Sequence, residues 1–322
     1  MAAWGALCDF QLKSHLSGLA WLWLWNYWAW IVNRAFEFRM MTIVIPTCER
    51  PDFIVKCLDK LSRADEVIVT DDSSGNATRD LIRNRYPNAT WLRGPRRGPA
   101  ANRNRGALNA TGDLVAFVDD DCIPAEDWVE KMGRALTDAE LVEGKTICIS
   151  KTNHPLEEVV ENLAGGLLWS CNLGIRKDLF LRMGGFDEDF LEAGGEDLEF
   201  AWRLKGNGQR AVFAPEAIVY HPARRLSVNR WMYRVFQDRW HLLYRLKVAP
   251  SRPAACGECI DLIRSTARLL AGRVRDQRRA RMLGLGARWV LFPVWIVYLS
   301  RWENRFRQML ARKSHNALDR LA

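Results

Sequence analysis

The chain has 322 residues, enough for one large or two modest domains, and carries a formal net charge of +9. That charge is unevenly spread, because residues 224–322 hold 22 Lys and Arg against 6 Asp and Glu, or +16, which leaves −7 for the rest. Eight cysteines are scattered through a chain too large to need disulfides, which excludes a small disulfide-stapled domain and favours a reducing compartment.

Residues 1–40 form a Trp-rich hydrophobic extension. The stretch 14–33 has no Asp, Glu, Lys or Arg, and about twenty apolar residues are enough to span a bilayer. The same stretch is crowded with tryptophan, which favours the membrane interface over the hydrocarbon centre. Three interpretations stay open: a membrane anchor, a disordered extension, or a start site assigned too far upstream of Met40 and Met41.

Strand and helix patterns alternate through the first half of the chain. Predicted strands cover residues 42–45, 66–70, 90–92 and 114–118, and predicted helices begin at Pro51, pass through Leu81 and Ile82, and begin again at Pro99. Such alternation is typical of a parallel α/β sheet, in which ligands bind at the carboxyl ends of the strands. Neither a Gly-x-Gly-x-x-Gly motif nor a Walker lysine motif accompanies the strands.

Three consecutive aspartates, Asp119, Asp120 and Asp121, follow the fourth predicted strand. Adjacent carboxylates repel one another unless a cation offsets their charge. Mg²⁺ and Mn²⁺ prefer oxygen ligands and often bridge one or two carboxylates to a phosphate. The cluster therefore predicts a metal-assisted site for a phosphorylated ligand, with a solvated acidic turn as the alternative.

A second pair of carboxylates lies at a predicted helix start. Gly194 and Gly195 make a flexible turn, and Glu196 and Asp197 follow in the first helical turn, where the helix dipole stabilises negative charge. Charge complementarity at the helix end explains this pair as well as a functional role does.

Two further strands are predicted at residues 211–213 and 217–220, and they lead to His221. A single histidine after a strand is either a structural residue or a ligand, and the pattern does not decide between them. The apolar run at residues 289–299 contains Pro293 and is too short to span a bilayer. We expect it to form helices that lie on a membrane surface or pack on the body of the protein, or to be a C-terminal core helix.

Five segments, in this order, resemble the family 2 glycosyltransferases of the GT-A fold. They are residues 43–50, 67–74, 98–106, 117–121 and 194–197. The resemblance covers residues 41–222 and implies a Rossmann-like, mostly parallel central sheet flanked by helices. It implies transfer of a sugar, with inversion, from a nucleotide-diphosphate donor to an acceptor hydroxyl. The resemblance thus marks residues 41–222 as a GT-A catalytic domain. Composition adds two further regions: the N-terminal extension 1–40 and a basic, Trp-containing helical tail 223–322, for which membrane association and packing on the body both stay open.

The same resemblance implies a role for each residue of the donor pocket. Pro46, Thr47 and Glu49 are expected to line the pocket for the base and ribose. Asp72 is expected to reach the base, and Arg103 to lie near the donor. Cys48 departs from the family pattern, because an aromatic residue is common at that position, and base stacking is therefore less certain.

The resemblance assigns the acidic cluster to the donor and to Mg²⁺ or Mn²⁺. Asp119 and Asp121 match the Asp-x-Asp pair, with Asp119 near the ribose or donor sugar and Asp121 on the metal. Asp120 belongs to the donor-binding set. His221 matches the late histidine that often completes the metal site, so the predicted ligands are Asp121, Asp119 and His221.

The catalytic base implied by the resemblance is Asp197, with Glu196 beside it contacting acceptor or donor. An incoming hydroxyl is a weak nucleophile at neutral pH, and a nearby carboxylate can accept its proton as the bond forms. Inversion requires that base on the sugar face opposite the leaving group. A second carboxylate from a distant segment is therefore needed, and the Glu196–Asp197 pair supplies it.

The expected partners follow from the tail and the missing motifs. Gln237 to Trp240 is one residue short of the Gln-x-x-Arg-Trp motif of processive synthases, so we expect single addition to a glycan or lipid-linked acceptor in cell-surface polysaccharide or glycolipid assembly. Trp and Arg in the tail predict an anionic membrane surface, on the cytoplasmic side of a bacterial cell membrane, reached peripherally or through one N-terminal anchor. Nucleic acid is not expected, since no recognised motif accompanies the basic tail.

Two other functions stay open. A sugar-phosphate nucleotidyltransferase would also use a metal and strand-end carboxylates, but usually shows a Gly-rich loop after the first strand. A catalytically inactive nucleotide-sugar-binding scaffold is opposed by the intact acidic pairs. The sequence does not identify the donor sugar, whose selection we expect to depend on loops such as residues 163–172.

Overall fold

The computed structural model describes residues 39–152, 154, 156–235, 239–251, 253–270, 285–287 and 289–319. The Trp-rich extension 1–40, with its candidate anchor stretch 14–33, therefore lies outside the described residues apart from residues 39 and 40. Most of the basic segment between residues 273 and 288 lies outside them as well.

An eight-stranded mixed sheet forms the centre of the protein, with strand order β3-β2-β1-β4-β8-β6-β9-β5. Its strands are β1 (Met41–Thr47), β2 (Glu66–Asp71), β3 (Ala89–Arg93), β4 (Leu114–Val118), β5 (Ile123–Pro124), β6 (Leu141–Ile149), β8 (Asn172–Arg176) and β9 (Val212–Pro222). The pairs β3-β2, β2-β1 and β1-β4 are parallel, whereas β8 runs antiparallel to β4 and β6. A separate antiparallel pair joins β7 (Glu157–Glu158) to β10 (Arg224–Arg225).

Helices cover the sheet and extend beyond it. They are α1 (Pro51–Leu58), α2 (Ala77–Arg85), α3 (Pro99–Asn109), α4 (Trp128–Asp138), α5 (Lys177–Arg182), α6 (Glu196–Gly206), α7 (Val228–Val235), α8 (Arg239–Val248), α9 (Ala254–Leu270) and α10 (Phe292–Asp319). Pro51 and Pro99 stand in the first turns of α1 and α3, where a missing N–H costs nothing.

Alternation along the parallel strands divides the core into two layers. In β1, Ile43 and Ile45 belong to one hydrophobic cluster and Val44 to the other, and every residue of this strand is buried. This is the period-two pattern of a strand covered on both faces. The predicted mostly parallel α/β architecture is confirmed, and the four strands predicted first correspond to β1–β4.

The prediction of two separate strands before His221 was wrong. A single strand, β9, runs through both segments and includes His221. Its pairing with β6 shifts between Gly144, opposite Ala214, and Lys145, opposite Ile218. The irregularity accommodates Pro215, which has no N–H for the ladder, without ending the strand.

The C-terminal helices form a third hydrophobic cluster. Trp240 of α8 and Trp295 of α10 are 3% and 1% exposed, and Phe306 packs beside Trp240. Two of the tryptophans that suggested a membrane surface are therefore core residues, as the alternative of packing on the body requires. Within the part of the chain that the structure describes, no helix is both long enough and apolar enough to cross a bilayer.

Candidate active site

A cavity of about 1010 Å³ opens at the carboxyl ends of β1, β2 and β4. Every residue predicted to bind the donor lines it: Pro46, Thr47, Glu49, Asp72, Arg103, Asp119 and Asp120. The fold brings them together because parallel neighbouring strands end at the same edge of the sheet. The other four predicted residues are not among its lining residues: Asp121, His221, Glu196 and Asp197.

The side of the cavity near β1 and β2 is held by hydrogen bonds. Glu49 Oε1 accepts bonds from both the backbone N and the Oγ of Ser74, each at 2.6 Å. These bonds lower the pKa of Glu49. Asp72 Oδ1 accepts a hydrogen bond from the backbone N–H of Arg96 at 2.8 Å. Burial outweighs this hydrogen bond and raises the pKa of Asp72. The loops that follow β1, β2 and β3 are thus fixed to one another by side chains of the protein itself.

Two arginines neutralise the end of the acidic cluster. Arg50 contacts Asp120 at 2.6 Å and Asp121 at 3.3 Å, and Arg224 also forms an ion pair with Asp121. Asp120 is fully buried and accepts the Thr47 hydroxyl at 2.7 Å. Burial raises the pKa of Asp120 to about 7, although Arg50 opposes the shift.

Asp121 and His221 fit a divalent cation. Asp121 Oδ1 is buried and has no hydrogen-bond partner among the described residues, and it lies 3.6 Å from His221 Nε2. Metal–ligand bonds of about 2.1 Å separate two neighbouring ligand atoms by roughly 3 Å, so a small adjustment lets both atoms hold one ion. His221 Nδ1 lies 2.9 Å from the carbonyl oxygen of Pro222. This contact suits the tautomer that donates from Nδ1 and leaves the Nε2 lone pair for a metal.

The third predicted metal ligand, Asp119, has a different partner in the structure. Its Oδ1 accepts Arg103 Nη2 at 2.7 Å. Burial opposes ionisation of Asp119, but the Arg103 charge outweighs it and keeps the carboxyl pKa below its ordinary value. Cys122 Sγ is instead grouped with Asp121 and His221, because the candidate ligand atoms of these three residues all lie within 4.8 Å of one another. Its hydrogen bond with Cys171, together with burial, raises the thiol pKa well above the ordinary value, and sulfur suits Mg²⁺ or Mn²⁺ poorly.

Arg103 joins the acidic strand end to the start of α6. Its guanidinium binds Asp119 on one side and Glu196 Oε1 at 3.3 Å on the other. The arginine side chain is only 5% exposed and Glu196 is 3% exposed. Two carboxylates from remote segments therefore share one buried cation at the floor of the cavity.

Asp197, the predicted catalytic base, lies in the first turn of α6. Its Oδ2 accepts the backbone N of Ser170 at 3.3 Å, and its Oδ1 is buried without a hydrogen-bond partner in the described part of the chain. Burial, followed by the charge of Glu196, raises the pKa of Asp197 to about 7. A carboxyl with such a pKa can take up a proton near neutral pH.

The loop before α6 is fixed by the C-terminal helices. Gly195 has φ +152°, and a Cβ there would lie 2.6 Å from Phe190 and 3.1 Å from the carbonyl oxygen of Trp240. Lys247 of α8 contacts Asp187 at 2.5 Å and Asp189 at 2.7 Å. These contacts place α8 directly behind the turn that carries the candidate base, so the predicted tail takes part in building the site.

A buried carboxylate organises a second loop beside the base. Glu143 is 2% exposed and accepts hydrogen bonds from Asn162 Nδ2, at 2.6 Å, and from the backbone N atoms of residues 166–168. The chain then continues to Ser170, which binds Asp197. This is the loop at residues 163–172 that the sequence suggested for sugar selection.

Sequence reasoning missed three charged residues of the site. Arg50 stands in the first matched motif, but its pairing with the aspartates has no local signal. Arg224 stands three positions after His221, and its closeness in sequence to the predicted metal ligand is the one signal that could have indicated it. Glu143 lies in a buried strand, where a carboxylate is unusual enough to indicate a special role.

The sheet, the cavity at the strand ends and the acidic cluster define a GT-A type α/β protein. Residues 42–176 match the family model for glycosyl transferase family 2, which identifies this part of the chain as a domain of that family. The resemblance inferred from the five motifs is thus confirmed.

Relatives share moderate sequence identity with the chain. The pre-mycofactocin glycosyltransferase of Mycobacterium tuberculosis is 26% identical over 215 residues, 61% of this chain and 45% of that protein. Glycosyltransferase AglE of Haloferax volcanii is 26% identical over 208 residues, 57% of this chain and 67% of that protein. The matched region thus spans about half to two thirds of these relatives.

One solved structure supports the fold. The crystal structure of GalNAc-T7 with UDP, GalNAc and Mn²⁺ superposes with a TM-score of 0.50 at 15% identity, covering 68% of this chain and 52% of that one.

Proposed function

We propose that this protein transfers a sugar from a nucleotide-diphosphate donor to a hydroxyl of a glycan or lipid-linked acceptor, with inversion, in cell-surface polysaccharide or glycolipid assembly. The observation that carries the proposal is the Arg103 bridge between Asp119 and Glu196. It unites a strand-end acidic cluster with a carboxylate pair from a remote helix, which is the arrangement that an inverting transfer requires.

The donor occupies the cavity at the strand ends. Pro46, Glu49 and Asp72 surround the base and ribose, and the cavity is large enough for a nucleotide sugar. Arg96 and Arg230 also line it and offer charge-assisted hydrogen bonds to a diphosphate.

Asp121 and His221 would hold the Mg²⁺ or Mn²⁺, with Asp119 near the donor sugar. When bound, the cation supplies Lewis-acid stabilisation of the charge that develops on the leaving diphosphate. The buried unpartnered oxygen of Asp121 favours this assignment. The GalNAc-T7 structure, which contains UDP and Mn²⁺, is consistent with it as a fold-level analogy.

Asp197 takes the proton of the acceptor hydroxyl as the new bond forms. Its Oδ1 has no hydrogen-bond partner among the described residues, so this oxygen is the atom that we assign to the hydroxyl. Glu196 remains paired with Arg103 and contacts donor or acceptor, and the Ser170 backbone N orients the base. The acceptor would then enter between the loop held by Glu143 and the start of α6.

The outer face of the C-terminal helices is proposed as the contact with an anionic membrane. Val290, Val294 and Val297 are 80%, 64% and 51% exposed, and helical spacing puts them on one face with Arg301 and Arg305. An apolar stripe edged by arginine suits a lipid surface with negative headgroups. The proposed location is the cytoplasmic side of the cell membrane.

A donor screen tests the proposal. UDP-, GDP-, dTDP- and CDP-sugars are offered with Mn²⁺, and hydrolysis and transfer are followed for wild type, Asp121→Asn and Asp197→Asn. We expect Asp121→Asn to lose activity with every donor, and Asp197→Asn to keep donor binding while transfer falls by at least about 100-fold. Since a base must be ionised, the wild-type rate should rise with pH through about 7, the pKa of Asp197.

Asp138→Asn, an exposed change at the end of α4, serves as the control and should behave like wild type. Transfer by Asp197→Asn at more than a tenth of the wild-type rate would rule out Asp197 as the base.

A further inference from the structure

The Arg224 guanidinium lies on the two side chains proposed to hold the cation. Its Nη2 forms an ion pair with Asp121 Oδ2 and lies 3.0 Å from His221 Nε2. Its Nη1 contacts Glu158 of β7 at 3.4 Å. The side chain is 27% exposed and lines the cavity, so it has open space on one side.

These contacts conflict with metal binding in the same arrangement. His221 Nε2 has one lone pair, which lies in the plane of the ring. In the structure that lone pair faces an Arg224 N–H, so it cannot point at a cation at the same time. A cation bound to Asp121 and His221 would also bring a double positive charge next to the guanidinium.

We propose that Arg224 is a displaceable internal counter-ion of the candidate metal site. Before the cation binds, its guanidinium neutralises Asp121 and caps His221. When the cation binds, the guanidinium leaves both side chains and turns into the cavity. The inference rests on the proposed function, because it takes Asp121 and His221 as the metal ligands.

One consequence is that Arg224 weakens cation binding by the free energy of its own contacts. Asp121 is buried, and without a metal ion or Arg224 its charge would be balanced only in part, by the 3.3 Å contact with Arg50, which also pairs with Asp120. Arg224 removes the cost of this imbalance in the metal-free protein and must be displaced later. Removing it should therefore tighten cation binding and destabilise the metal-free protein, two effects of opposite sign.

Mn²⁺ binding to the full-length, metal-free protein tests this prediction by calorimetry. Arg224→Gln should bind Mn²⁺ about tenfold more tightly than wild type, because a hydrogen bond to a charged group no longer competes. Arg225→Gln removes a charge from the same strand, at a side chain that contacts His154 and not Asp121, and should stay within about twofold. Asp121→Asn should lose Mn²⁺ binding.

Thermal unfolding provides a second measurement. In EDTA the midpoint of Arg224→Gln should fall below that of wild type, and saturating Mn²⁺ should raise it by more than it raises the wild-type midpoint. Arg224→Lys keeps the charge but loses the two-pronged geometry, and it should show a smaller gain in affinity of the same sign. This variant also covers the case in which Arg224→Gln does not fold.

The outcomes separate the two proposals. If wild type binds Mn²⁺, Asp121→Asn does not, and the Arg224 variants bind no tighter than wild type, the counter-ion role is refuted and the metal site stands. If Arg224→Gln and Arg225→Gln gain equally, the effect is general electrostatics and the counter-ion role is again refuted. If Asp121→Asn binds Mn²⁺ as wild type does, both the counter-ion role and the proposed metal site fail.

Discussion

Arg103→Gln removes the guanidinium that joins Asp119, at the end of β4, to Glu196, at the start of α6. The guanidinium is 5% exposed and pairs with Glu196, which is 3% exposed, and with Asp119, which is 27% exposed. Removing one partner of a buried ion pair costs about 3–5 kcal/mol, because the other charge stays buried without compensation. We therefore expect the free energy of unfolding to fall by about 3–5 kcal/mol at pH 8.

The loss should depend on pH in a defined direction. Burial opposes ionisation of Asp119, but the charge of Arg103 lowers the carboxyl pKa in the folded protein. The pair therefore stabilises the fold at pH values above the pKa of Asp119 in the unfolded chain, and this stabilisation is lost as the pH falls through the lower pKa of Asp119 in the folded protein. Burial raises the pKa of Asp197, whose charge is therefore a cost that protonation relieves below about pH 7. Without Arg103 both carboxyls bind protons more readily. The deficit should shrink from pH 8 to pH 5, by about 1.4 kcal/mol for each pKa unit of extra shift.

Urea unfolding in EDTA at pH 8 and pH 5 measures both effects. The matched control is Arg105→Gln, on the same helix but exposed, which should change stability by no more than about 0.5 kcal/mol at either pH. A deficit for Arg103→Gln equal to that of the control at pH 8 would refute the buried-bridge reasoning. So would a deficit of several kcal/mol that is the same at both pH values.

Three further changes probe the surroundings of the site. Glu143→Gln should lower the free energy of unfolding by about 2–3 kcal/mol in urea, since this one carboxylate accepts four hydrogen bonds. The half-exposed Glu140→Gln is its control and should cost under about 0.5 kcal/mol; equal costs would contradict the loop-anchor role. Lys247→Met should reduce kcat about tenfold with unchanged Mn²⁺ affinity, because the loop before Asp197 loses its contacts with α8. The exposed Arg268→Met is the control, and an unaltered kcat in Lys247→Met would show that Lys247 does not position this loop. Replacing Val294 and Val297 together by Glu should reduce the amount of protein that sediments with anionic vesicles at least about fivefold, and should leave activity on a soluble acceptor unchanged. Undiminished sedimentation would rule out this face as the membrane contact.

The sequence predicts the sheet edge well, because the relevant signals are local. Strand-forming runs of four or five residues that are followed by Pro46, Asp71 or Asp119 predict three buried strands, and the structure confirms them. Glu196 and Asp197 are likewise predicted at a helix start and found in the first turn of α6. The continuity of β9 was not predictable, since a proline such as Pro215 usually marks the end of a strand in sequence. In the structure, β6 pairs with β9 on both sides of Pro215, and the register shifts between the two paired segments.

Long-range charge pairing decides the rest of the site, and no local pattern encodes it. Arg103 reaches Glu196 across 93 positions, and Arg224 reaches Asp121 only because β9 and β10 return along the sheet. The C-terminal helices illustrate the same limit, since their basic, Trp-bearing composition suits a membrane surface and a packed core equally. Trp240 and Trp295 are core residues because α8 and α10 pack against each other and enclose both side chains in one hydrophobic cluster.

The sequence by itself thus determined the four strands β1–β4 and which carboxylates follow them, because alternating apolar residues and the turn residues after them are local features of the chain. Tertiary structure alone decided which cation each carboxylate meets: Arg50 and Arg224 on Asp121, and Arg103 on Asp119 and Glu196. The physical reason is that a buried charge must find its partner in space, and the fold brings together residues whose distance along the chain carries no information about their contact.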